Sequence, residues 1–67
     1  MCIATAYVDD GNQCEEVMRD VISAESDSGS ILLTTILGEQ KQLKAKIKHI
    51  DFIKHSVTLT PAEQGIS

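Results

Sequence analysis

The chain has 67 residues and a net charge of −4, with two cysteines, one phenylalanine, one tyrosine and no tryptophan. That length makes one domain, and a domain of this size buries only ~60% of the surface its unfolded chain exposes. The core must come from Ile, Leu and Val, and self-association or a bound metal is an expected source of added stability. Met1 to Val8 carries neither a basic region nor a long apolar run before Asp9 and Asp10, so it does not read as a secretory signal. No stretch approaches the ~20 apolar residues that span a bilayer. A cytoplasmic chain with reduced thiols is expected, and no membrane partner.

The charges are segregated. Residues 1–40 carry eight acidic side chains against Arg19 alone, a balance of −7, and residues 41–67 carry five lysines against Asp51 and Glu63, a balance of +3. The lysine run from Lys41 to Lys54 reads as a solvated strand face, or alternatively as a basic stripe for RNA.

Cys2 to Val8 favours a strand, with Cys2, Ala4, Ala6 and Val8 on one face. Asp9-Asp10-Gly11-Asn12 signals a tight turn. From Cys14 to Ile22 the apolar residues recur at helical spacing, but β-branched residues and the lack of an N-cap argue for a short strand near 14–18, a bend at Arg19-Asp20 and a strand from Val21 to Glu25. Ser26 to Ser30 is a second hairpin signal, and Ile31 to Leu37 reads as a central strand. Gly38-Glu39-Gln40 is a turn. Leu43, Ala45 and Ile47 then alternate with lysines. After Ile47 the inward phase shifts to Ile50 and Phe52, as a β-bulge would produce. Lys54-His55-Ser56 turns the chain, Val57 and Leu59 form the last strand, and Pro61 ends it. The expected architecture is all-β: five or six short strands in a small SH3-like or Sm-like barrel spanning residues 1–60, with 61–67 as a frayed C-terminal tail.

Little in this pattern points to catalysis. His49 and His55 lack a Glu or Cys at ligand spacing, the glycines form no phosphate loop, and no C-x-x-C occurs. Tyr7 and Phe52 are too few for a base-stacking platform, which with the acidic balance argues against nucleic acid as a partner. An enzyme is not expected. Cys14 lies beside Glu15 and Glu16, whose charge disfavours a thiolate, and it reads as a small apolar residue.

Cys2 stands next to the chain's amino terminus, itself a metal ligand. Its sulfur and its own backbone nitrogen close a five-atom chelate ring; if Met1 is retained its amine and the Cys2 amide nitrogen add a second ring, and if Met1 is removed the Cys2 amine takes over. Thiolate with strong-field nitrogen donors favours square-planar Ni(II) or Cu(II) over tetrahedral Zn. One chain has too few donors for a closed site, whereas two chains about a two-fold axis would supply two thiolates and two nitrogens. From the residues alone, a buried strand cysteine is the more ordinary reading of the same residue, because any chain starting Met-Cys has these atoms.

The opening Met1-Cys2-Ile3-Ala4-Thr5-Ala6-Tyr7-Val8 resembles the start of the small CooT-type nickel-binding proteins, formerly labelled predicted RNA-binding proteins. Asp20-Val21, Ile31 to Leu37, Gly38-Glu39 and Ile47 through Asp51 are similar to that family as well. The resemblance covers nearly the whole chain. It implies a homodimer binding one Ni(II) through Cys2 of both chains, with Met1 beside it, as a metallochaperone or nickel sensor. It also implies a link to carbon monoxide dehydrogenase or its maturation factors. Cys14 has no counterpart in the resemblance. The rival expectation is an Sm-like RNA-binding module using the Lys41–Lys54 stripe.

Overall fold

The computed structural model describes residues 3–62. Six strands follow one another: β1 (Ala4–Asp9), β2 (Cys14–Asp27), β3 (Ser30–Thr35), β4 (Gln40–Leu43), β5 (Ala45–Asp51) and β6 (Ser56–Pro61). They make one sheet in the order β4-β3-β2-β1-β6-β5. Neighbours are antiparallel except β1 and β6, which run parallel. The all-β expectation holds, and no helix occurs among the described residues.

The first two expected turns form for the expected reasons. The Asp10 carboxylate accepts the N–H groups of Asn12 and Gln13 at 2.9 and 3.0 Å, which ties the chain between β1 and β2. Between β2 and β3, Ser28 and Gly29 take φ of 49° and 83°. Two positive φ values in a two-residue loop match the twist of the flanking strands.

The ambiguous segment is strand, and the two strands expected there run together into β2. The bend at Arg19-Asp20 survives as a bulge, with Asp20 at φ 59°. Pairing with β1 moves from Ala4↔Val21 to Ala6↔Met18 and then to Tyr7↔Glu16, so β2 spends an extra residue each time. It spends another against β3, between Val21↔Thr35 and Ser23↔Thr34. Each extra residue resets the two-residue alternation. Met18, Val21 and Ala24, three apart, therefore all reach the core side. Bulges spaced this closely imitate a helical period, which is why the periodicity there was ambiguous.

β3 alternates plainly: Ile31, Leu33 and Thr35 are buried, and Leu32 and Thr34 are half-buried. It stops at Thr35, two residues before the expected end. The Thr35 Oγ1 accepts the Glu39 N–H at 3.1 Å, and the Thr35 carbonyl accepts the Gly38 N–H at 2.9 Å. These bonds turn the chain and leave Ile36 and Leu37 exposed. The expected strand through Leu43, Ala45 and Ile47 is broken at Lys44 into β4 and β5. The expected bulge after Ile47 is present: pairing passes from Ile47↔Leu59 to His49↔Thr58, with Lys48 as the extra residue.

Two expectations need correction. The barrel is not closed: β4 and β5 lie at opposite ends of the strand order. They are one run of chain bent at Lys44, so they follow end to end rather than side by side and make no ladder with each other. And Ile50 and Phe52, expected inside, are 42% and 77% exposed. They line an open groove between β2 and the β5–β6 hairpin, alongside the buried Val21 and Val57. The core proper centres on Ala6, Ile31, Leu33 and Leu59, all fully inaccessible. Pro61 ends β6 as expected, and the tail expected over 61–67 lies outside the described residues from 63 onward.

Candidate functional site

The expected metal ligands, Cys2 and Met1, lie outside the described residues. The structure does describe what the start of the chain is anchored to. Ala4 pairs with Val21 of β2, and Thr5 with Ser56 of β6. The Thr5 N–H donates to the His55 carbonyl at 3.0 Å. The first strand is thus held from both sides within three residues of Cys2.

Next to that anchor runs an apolar groove of about 250 Å³. Its floor and walls come from Ala4, Val21, Ile22, Ile47, Ile50 and Phe52, and Asp51 and His55 lie at its rim. The rim is built by the turn between β5 and β6. There the Asp51 carboxylate accepts the N–H groups of Ile53 and Lys54, both at 3.0 Å. The Lys54 N–H above all holds the Asp51 carboxyl below the usual carboxylate range, with the Ile53 N–H assisting. His55 follows at φ 55° and reverses the chain. Asp51 is therefore occupied in closing a turn, and His49 and His55 are exposed.

The other candidates lie elsewhere. Cys14 pairs with Asp9 at the far end of β1, about 17 Å from Ala4 at ~3.4 Å per residue. It is exposed, and it lines a shallow polar hollow with Tyr7, Lys54, Ser56 and Thr58. Nearby, the Lys48 ammonium donates to Asp9 at 2.7 Å. That bond raises the Lys48 pKa and is the main cause lowering that of Asp9, with the Gly11 N–H contributing. One of the five lysines in the basic stripe is thereby paired with a carboxylate. Tyr7 and Phe52 line different hollows and share no platform for a base. Among the described residues, no three His, Cys, Asp or Glu side chains gather closely enough to hold a metal ion.

The groove is the feature that sequence reasoning missed. Its signal was present, since Ile22, Ile47, Ile50 and Phe52 are more apolar residues than so small a core can cover.

A family model described as CO dehydrogenase accessory protein CooT matches residues 1–60. Among solved structures, the chain is similar to a protein from Carboxydothermus hydrogenoformans assigned as CooT. The two share 29% identity and superpose with a TM-score of 0.84 over 92% of this chain and all of that one. No curated protein matches the chain.

Proposed function

Because the chain belongs to the CooT family of CO dehydrogenase accessory proteins, we propose that it binds nickel as cargo, one Ni(II) per pair of chains, through Cys2 of both. Its role would be metallochaperone or nickel sensor for the maturation of carbon monoxide dehydrogenase. The observation that carries this reading is the extent of the family match, which begins at residue 1 and so takes in Met1 and Cys2. Two features of the structure fit it. Among the described residues no three His, Cys, Asp or Glu side chains gather to hold a metal ion, so a site at Cys2 has no rival there. Ala4, two residues after Cys2 in sequence, lines an uncovered apolar groove, which offers a second chain a surface to meet. Two thiolates with backbone or terminal nitrogens suit nickel's preference for a square plane.

The test is spectroscopic. Ni(II) added to the untagged chain should raise a thiolate-to-nickel charge-transfer absorption. Cys2→Ser should abolish it, and Cys14→Ser should leave it unchanged. Loss of the band in the Cys14 variant, with the Cys2 variant unaffected, would move the site and refute the assignment. Sub-micromolar RNA binding by a chain that ignores nickel would favour the lysine stripe instead.

A further inference from the structure

The turn between β5 and β6 puts a histidine beside the start of β1, although the two lie at opposite ends of the sequence. Thr5 pairs with Ser56 in the parallel ladder, and the Thr5 N–H donates to the His55 carbonyl at 3.0 Å. His55 therefore stands level with Ala4, one strand spacing away. It is exposed and lines the same groove as Ala4. Among the described residues its imidazole has neither a hydrogen-bond nor an ion-pair partner. His49 is exposed as well, but it pairs with Thr58 on β5, two strands from β1 and level with Tyr7.

The backbone at His55 is a second, independent observation. Its φ is 55°, in the left-handed region that glycine enters freely and a side chain enters at a cost. A glycine would close this turn at least as well, so the turn has no need of the imidazole. Residues held in such sparsely populated conformations gather at binding sites.

The reach is sufficient. Cys2 is two residues before Ala4, at most ~7 Å whatever path the chain takes. With ~4.8 Å between neighbouring strands, the Cα atoms of Cys2 and His55 are no more than about 12 Å apart. A metal ion takes up ~2.3 Å to a thiolate and ~2.1 Å to an imidazole nitrogen, and the two side chains span the remainder. Imidazole suits nickel, and as a neutral donor it adds no charge to a site already carrying thiolates. Taking the nickel reading as premise, we infer that the His55 imidazole is a further ligand to the nickel held by Cys2 of the same chain.

NMR of the two histidine rings, together with calorimetric titration, tests this on the untagged, metal-free chain. Substoichiometric Ni(II) should shift or broaden the His55 ring signals and spare those of His49. His55→Gly keeps the carbonyl that anchors Thr5 and relaxes the turn, so it should retain the far-UV circular dichroism spectrum and melt no lower than the native protein. It should nevertheless bind nickel at least ~10-fold more weakly, with the charge-transfer band displaced. His55→Asn, which also tolerates the left-handed region, should match it and serves if the glycine variant misfolds. His49→Gln should bind as the native chain does. Native affinity in both His55 variants, or an equal loss in His49→Gln, would overturn the inference; with binding still abolished in Cys2→Ser, the nickel reading would stand without it. A native chain that binds no nickel, or a Cys2→Ser protein that binds it undiminished, would overturn both.

Discussion

Leu59→Ala should remove a large part of this chain's stability. Leu59 is fully inaccessible, and it pairs with Val8 of β1 on one side and Ile47 of β5 on the other. Its side chain thus ties the parallel pair of strands to the edge strand. Removing a buried leucine down to alanine costs about 3–5 kcal/mol, the transfer of the lost methyl groups plus the cavity they leave. At ~0.05–0.15 kcal/mol per residue, a chain of this length has a total of about 3–10 kcal/mol to lose. Phe52→Ala is the contrast. With 77% of the residue already exposed, less than a quarter of about 200 Å² is hidden within the chain, worth about 1 kcal/mol at ~25 cal/mol per Å². Urea melts followed by circular dichroism, run at two protein concentrations to separate pairing from folding, measure both. The reasoning fails if Leu59→Ala lies within 1 kcal/mol of the native protein, or if the two variants cost the same at the lower concentration.

Other consequences are as specific. Asp20 holds φ 59° at the bulge of β2, so Asp20→Gly should be neutral or stabilising, and Asp20→Val should cost about 1–2 kcal/mol in the same melts. The carboxyls of Asp9, Asp10 and Asp51 all lie below 3.8 in the folded chain, owing mainly to Lys48, the Asn12 N–H and the Lys54 N–H in turn. A carboxyl depressed on folding stabilises the fold above its unfolded value, and that contribution is lost as pH falls through the folded value. Stability should therefore be level above about pH 5 and decline below pH 4, less steeply in Asp51→Asn; a level profile down to pH 2 would contradict the turn contacts. RNA binding should be weak and fall steeply with salt, since it would rest on a few lysine–phosphate contacts. A fluorescence titration near physiological salt checks it.

How much of this was legible depended on whether each residue's neighbours were local. The turns at Asp9–Asn12 and Ser26–Ser30 were readable because their signals are the Asp10 carboxylate and the Ser28-Gly29 pair themselves. The bulge after Ile47 was readable because a single phase change in an otherwise regular alternation marks it. β2 was readable in part: its β-branched residues favoured strand on both sides of Arg19-Asp20, as found, but closely spaced bulges give the same apolar spacing as a helix and hid that the two strands run together. The open edge of the sheet was not legible. Whether β4 and β5 lie side by side is decided at Lys44, and nothing in the alternation of Leu43, Ala45 and Ile47 shows the break. The same limit hid the groove: Ile50 and Phe52 carry the inward phase, but whether anything covers them depends on strands far away in sequence. Cys2 was singled out by its place beside the amino terminus and by resemblance, since one cysteine in a strand-like pattern is ordinarily a core residue.

Calorimetric titration of the untagged, metal-free chain with Ni(II) tests the central claim most directly. The account predicts one nickel per two chains, an affinity that weakens as pH falls because the thiols must lose their protons, and no tight binding in Cys2→Ser. One nickel per chain, or undiminished affinity without the Cys2 thiol, would contradict it.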